Sequence, residues 1–178
     1  MSEQVRQGVI AVRSREYDDP AAAALRAAMS AELTLRYWDE LTAGPPPPGL
    51  AVQPHEAVWN GVALVDDLLP VGHALLRWYT RPEGPSIGLG PGTLELKRMY
   101  VVPSHRGTGV ARLLLEASEQ AGTALGAHSI VLHTGPRQPD AVRSYRRAGY
   151  LQIPAYPPYH LMTGPVCFRK PLTRTPSG

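Results

Sequence analysis

Between Val101 and Leu115 the chain reads "VVPSHRGTGVARLLL", with two glycines one residue apart where an apolar run ends and an amphipathic helix begins. Glycine at such a mouth allows bare backbone N–H groups to approach a ligand closely. The first turn of a helix has N–H groups without intrahelical partners, at the positive end of its dipole. The chemistry this permits is the grip of a phosphate by main chain alone. A P-loop would close on Gly-Lys-Ser/Thr, and no such ending follows. A dinucleotide fingerprint would carry a third small residue where Arg112 stands, and an acidic residue after the next strand, where the chain has His133-Thr134. Taken alone, the two glycines serve equally well as a tight strand-to-helix turn.

Other reactive patterns are missing. Six histidines, at 55, 73, 105, 128, 133 and 160, show no paired metal-ligand spacing. No Ser–His–Asp pattern accompanies them, and Cys167 is the single cysteine, so nothing suggests a covalent acyl-enzyme. That lone cysteine excludes an intrachain disulfide, fits a reducing cytoplasmic interior, and reads most simply as a small buried hydrophobe. No metal is expected.

At 178 residues, with 43% hydrophobic and 19% charged residues, the chain fits one globular domain with a substantial core. We expect the core to span about 8–172, with a loose tail at 173–178. No apolar stretch marks a signal peptide or a membrane helix. The net charge is only +3, and 16 arginines against 2 lysines form no aromatic-laced basic face, so neither nucleic acid nor membrane is expected as a partner.

The elements that must hold the glycine turn can be read from periodicity. Val9–Val12 reads as a first strand. Asp19 and Pro20 start a helix whose Leu25, Met29 and Leu33 share a face, continuing as one helix or two through Tyr37, Trp38 and Leu41. The prolines of "AGPPPPG" (43–49) must end it. Val58–Val65 and Val71–Tyr79 read as a hairpin, and 81–92 as a loop. Thr93–Val102 reads as a central strand in which Leu94 and Leu96 share one parity while Met99 and Val101 share the other. Such a slip points to a β-bulge near Lys97–Arg98, although a strand covered on both faces would look the same. A helix with Val110, Leu113, Leu114, Ala117 and Ala121 on one stripe follows, then a strand at Ser129–Thr134. A short helix begins at Pro139 and stops at Gly149; strands at Tyr150–Ile153 and Val166–Lys170 complete the chain.

With these elements in place, "RMYVVPSHRGTGVARLLL" resembles motif A of the GNAT acyl-CoA N-acyltransferases, Gln/Arg-x-x-Gly-x-Gly/Ala after a fourth strand. "SIVLHTGPRQPDAVRSYRRAGY" resembles the strand and helix that follow, so the likeness is detailed over 93–153. One position departs from the motif: Ser104 stands where Gln or Arg is usual, and Arg106 precedes the first glycine. The resemblance implies an α/β (α+β three-layer) fold, a mixed, largely antiparallel sheet with helices on both faces. It further implies that acetyl-CoA is the cofactor. The N–H groups of Arg106, Gly107, Thr108, Gly109, Val110 and Ala111 would hold its pyrophosphate. Backbone of Tyr100, Val101 and Val102 would pair with the pantetheine arm in a split between the fourth and fifth strands. Gln138 stands where the family commonly has Asn and would bond the cofactor. Arg112, Arg143, Arg146 and Arg147 are candidates for the 3′-phosphate, though a solvated charge is the simpler reading of each.

Acyl transfer from a thioester to an amine needs a neutral amine and a proton for the departing thiolate. About one lysine-type amine in 2,500 is neutral at pH 7, against roughly one α-amine in seven. The resemblance implies Glu95 as a base acting through a water and Tyr145, in "AVRSYRRAGY", as the acid that protonates the coenzyme A sulfur. Direct transfer within a ternary complex follows; a non-catalytic acyl-CoA-binding module is the alternative. The acceptor, a small-molecule or peptide amine, would meet Glu32, Tyr37, Trp38, the loop 81–92 and Tyr156–Tyr159. A homodimer stays open.

Overall fold

Apolar runs on either side of the Asp66-Asp67 turn form β2 (Ala57–Val65) and β3 (Leu69–Trp78), a hairpin in a seven-stranded sheet. The computed structural model describes residues 8–41, 50–80 and 88–173. The prolines of 43–49, most of the 81–92 loop and the end of the tail therefore lie outside the described residues.

The remaining strands are β1 (Ile10–Ser14), β4 (Thr93–Val101), β5 (Ser129–Thr134), β6 (Leu151–Ile153) and β7 (Val166–Pro171). Their order is β1-β2-β3-β4-β5-β7-β6, and every neighbouring pair is antiparallel except β4 and β5. One parallel pair in an otherwise antiparallel sheet matches the mixed, three-layer architecture expected.

The helix after Asp19 divides at Tyr37 into α1 (Pro20–Arg36) and α2 (Trp38–Leu41). Asp19 Oδ1 accepts from Ala21 and Ala22 N–H, each at 3.0 Å, and Pro20 occupies the first turn, where its missing N–H costs nothing. α3 (Val110–Ala124) and α4 (Pro139–Arg147) follow β4 and β5. Leu94, Leu96, Ile130 and Leu132 pack with Val110, Leu114 and Tyr145 on one face of the sheet. Val62 and Leu64 pack with Ala22 and Leu25 of α1 on the other.

The parity slip in β4 is a β-bulge. His73 pairs with Tyr100 and Leu75 with Lys97, so three steps on β4 oppose two on β3. Within the extra length, Arg98 adopts φ 55°, left-handed for a residue with a side chain. Leu94 and Leu96 face α3 before the bulge and Met99 and Val101 after it, while Tyr100 and Val102 turn to α1.

Candidate active site

The turn between β4 and α3 is built from its glycines. Gly107 and Gly109 have φ 78° and 94°, and a Cβ added to either would meet no atom within 4 Å. Both residues are therefore required by backbone conformation, and the space beside them is open to a ligand. Thr108 Oγ1 donates to His105 O (2.7 Å) and ties the turn together. The first α3 hydrogen bond runs from Leu113 N to Gly109 O (3.1 Å), so the N–H groups of Val110, Ala111 and Arg112 have no partner within the helix. Ser104 is exposed, with its hydroxyl 3.0 Å from His105 Nδ1.

β4 and β5 part company beside this turn. Their parallel ladder ends at Leu96–Leu132, and His133 and Thr134 continue pairing only with Cys167 and Val166 of β7. The cleft that opens there has a volume of about 200 Å³ and is walled by α1, the far half of β4, Arg106, Gly107 and α4. Arg106 crosses it: Nε donates to Val101 O (3.0 Å) and Nη2 to Glu32 Oε2 (2.6 Å). Glu32 also accepts from Arg36 at 2.8 Å. Of the three β4 residues expected along the cofactor arm, Val101 turns its carbonyl into the cleft. Val102 N–H instead donates to Val71 O of β3 (3.0 Å), and strand alternation sends the Tyr100 main chain toward β3 as well.

Tyr145 projects from α4 into the wall of the cleft, next to Ala141 and Ser144, with Gln138 at the helix mouth. The rings of Tyr150 and Phe168, with centroids 5.9 and 5.8 Å away, hold it in place. Burial raises its pKa, so the phenol stays protonated across the physiological range. Its hydroxyl makes no hydrogen bond to another described residue.

Glu95 lies on the opposite face of β4 and is only 1% exposed. Arg77 donates to Oε2 from Nε (2.8 Å) and Nη2 (2.7 Å). Tyr159 and Tyr156 donate their hydroxyls to Oε1 at 2.5 and 3.2 Å. Lys97 Nζ donates to the Tyr159 hydroxyl (2.5 Å) and stands 3.9 Å from Oε1. Burial works to raise the Glu95 pKa, but Lys97, Arg77 and Tyr159 together hold it below the ordinary carboxylate value. Next to this group His133 stacks on Tyr159 at 4.1 Å, and burial with the Lys97 charge pushes its pKa down to about 4.

The fold thus gathers Tyr100, Val101, Arg106, Gly107, Ala111, Gln138 and Tyr145 around one cleft, and puts Glu95 across the strand from them. Arg112 pairs with Glu116, Arg143 with Asp140 and Arg146 with Gln152, all exposed. Tyr37 borders the β5–α4 turn through a clasp in which Arg137 donates to both Asp39 carboxylate oxygens at 2.7 Å and its N–H to Tyr37 Oη at 3.1 Å, while Trp38 at the start of α2 is exposed. Sequence reasoning missed Arg77, Lys97 and His133 as neighbours of Glu95. The alternation Glu95, Lys97 on β4 and Val131, His133 on β5 was the signal available for one shared face. Among the described residues, no three His, Cys, Asp or Glu side chains gather as metal ligands, and no helix is long and apolar enough to cross a membrane.

A glycine turn feeding a helix, a split between two parallel strands and a tyrosine on the next helix thus meet at one cleft. The family model for the acetyltransferase (GNAT) family matches residues 17–150, and the chain belongs to that family. A protein of Azospirillum brasilense named "IAA acetyltransferase" is 34% identical over 86 residues, covering 44% of this chain and 56% of that protein. The chain spans about half the length of the curated relatives it matches. Among solved structures, a Klebsiella pneumoniae protein assigned as an acyl-CoA N-acyltransferase superposes with TM-score 0.71 at 25% identity, over 93% of this chain and 99% of that one. A Salmonella typhimurium protein assigned as an acetyltransferase, solved with its cofactor acetyl-CoA, has TM-score 0.58 at 16% identity over 94% and 96% of the two chains.

Proposed function

We propose that this chain is an N-acetyltransferase that moves acetyl from acetyl-CoA to a primary amine, directly and within a ternary complex. One observation carries the reading: a single cleft gathers the unpartnered N–H groups at the head of α3, the outward carbonyl of Val101 and the Tyr145 hydroxyl.

The residues fit the group they would hold. The N–H groups from Arg106 to Ala111 would take the diphosphate, with open space at Gly107 and Gly109 letting it come close to the main chain. Arg106, already reaching Val101 O and Glu32, is long enough to exchange either contact for a phosphate oxygen. Gln138 offers an amide at the α4 mouth. Acetyl-CoA supplies the activated acyl group. Tyr145 holds a proton that is released only as negative charge grows beside it, because burial makes the phenol a weak acid.

For Glu95 we propose anchoring instead of proton acceptance. Both oxygens already accept two donors each, and its pKa lies below the ordinary value, so it is poorly suited to take a proton from the amine. Its task is to fix Tyr156, Tyr159 and Lys97, which border the side from which an acceptor would approach. An acceptor that needs little help in losing its proton suits such a site. α-Amines, roughly one in seven neutral at pH 7, should therefore outrank lysine-type amines.

The reading sets the enzyme in the cytoplasm, on the strength of one buried, free cysteine, with an amine substrate and neither nucleic acid nor membrane as partner. The test is a panel of amino acids, peptide amines, polyamines and aminoglycosides, scored by coenzyme A release and by the mass of the acetylated product. Turnover with an amine is the expected result. Acetyl-CoA binding with no amine raising release above hydrolysis would instead favour a non-catalytic binding module.

A further inference from the structure

The β4 bulge lies just beyond the point where β4 and β5 part, and a side chain contacts its strained residue. Arg98 carries the left-handed φ of 55°, a conformation that costs a residue with a Cβ about 1–2 kcal/mol unless its surroundings hold it. Its carbonyl is met by His73 Nδ1 at 2.8 Å. His73 is fully buried on β3, opposite the irregular register.

The ring is itself fixed from behind. Nε2 lies 2.7 Å from Asn60 Oδ1, and the Asn60 amide donates to Glu16 O (2.9 Å) and Arg15 O (3.3 Å). Arg26 of α1 donates to Tyr17 O (2.6 Å) and brings Nη1 within 3.4 Å of both Asn60 Oδ1 and His73 Nε2. A buried polar chain therefore runs from the turn before α1, through β2 and β3, to the bulged residue of β4. Burial first, and the Arg26 charge after it, push the His73 pKa down to about 4. A carbonyl requires a donor, and both the imidazolium and the neutral Nδ1–H tautomer carry a proton on Nδ1. Asn60 Oδ1 is an acceptor too, so the imidazolium serves both oxygens, whereas the neutral Nδ1–H ring keeps the Arg98 bond and turns its Nε2 lone pair toward Arg26 Nη1.

We propose that His73 is the positioning residue for the acyl-CoA cleft: its Nδ1–H holds the Arg98 carbonyl and thereby keeps the β4 bulge that splays β4 from β5. The inference rests on the cleft being the acetyl-CoA site. Without the bond, a buried carbonyl loses its donor and the bulge its restraint. Losing the extra residue from the register would reverse the faces of Met99 to Val102. Tyr100 would leave the Ala22–Leu25 side, and the Val101 carbonyl would no longer face the cleft.

Two variants separate this role from simple core filling. In His73→Asn the side-chain amide nitrogen falls where Nδ1 was; in His73→Gln it falls where Nε2 was. Both remove one contact and both should lower the Tm. His73→Asn should keep the acetyl-CoA KM near the wild-type value, whereas His73→Gln should raise it about tenfold, the worth of one buried hydrogen bond. Equal acetyl-CoA KM values in the two variants would overturn the proposal while leaving the reading of the cleft intact. Failure of wild-type protein to bind acetyl-CoA would overturn both. The wild-type protein gives an answer that needs no variant. Nitrogen NMR of labelled histidine should show the His73 proton on Nδ1, coupled to the Arg98 carbonyl, and a proton on Nε2 alone would refute the assignment.

Discussion

Tyr145 and Glu95 are both enclosed side chains beside the same strand, and their polar atoms are in opposite circumstances. Two Arg77 nitrogens and two tyrosine hydroxyls satisfy the Glu95 carboxylate. Tyr145 is gripped only by rings, and its hydroxyl has no hydrogen-bond partner among the described residues. A buried polar group that is fully paired holds its neighbours still; one left without a protein partner, at the wall of a cleft, is available to a ligand. The head of α3 belongs with Tyr145 in this respect, because its first N–H groups have no partner within the helix and the space beside Gly107 and Gly109 is open.

The contrast predicts a graded set of losses. Gly109→Val should abolish measurable acetyl-CoA binding, since a β-branched residue resists φ 94° and its methyls would fill the space beside the N–H groups; calorimetric titration decides it. Glu95→Gln should cost about 3 kcal/mol in denaturant unfolding, because the buried Arg77 would face an amide where it had a carboxylate. The acidic limb of its pH–rate profile should survive, and losing that limb would return Glu95 to the role of base. The sign of the linkage is fixed as well. With its folded pKa depressed, Glu95 contributes stability above the unfolded carboxylate pKa, and that stability disappears as pH falls through the folded value. Tyr145→Phe should lower kcat about a hundredfold while the acetyl-CoA KM and Tm hardly change, as no protein hydrogen bond is lost. The smallest effect belongs to the exposed clasp. Arg137 holds the Asp39 pKa down to about 2, so Asp39→Asn should shift the Tm slightly at neutral pH and not at all below that value or in high salt.

What could be read from the sequence was local. The glycine turn, the Asp19 cap and the limits of α4 depend on residues a few positions apart, and the parity change across Lys97–Met99 disclosed the bulge within one strand. The helix that carries Tyr145 was legible from Pro139 and Gly149 at its ends, while the residue itself was named through the resemblance. Glu95 was named through the resemblance, and its surroundings were not legible. Its partners sit 18, 61 and 64 positions away, and only the packing of β3 and the 154–164 segment against β4 brings them together. The Arg106–Glu32 bridge spans 74 positions and His73–Arg98 spans 25, so neither could be seen in a linear pattern.

Hydrogen exchange of the Gly107 to Arg112 amides, with and without saturating acetyl-CoA, bears most directly on this account. The exposed N–H groups should become strongly protected when acetyl-CoA binds. Unchanged exchange at these six positions in protein that is otherwise saturated would place the cofactor elsewhere and contradict the site.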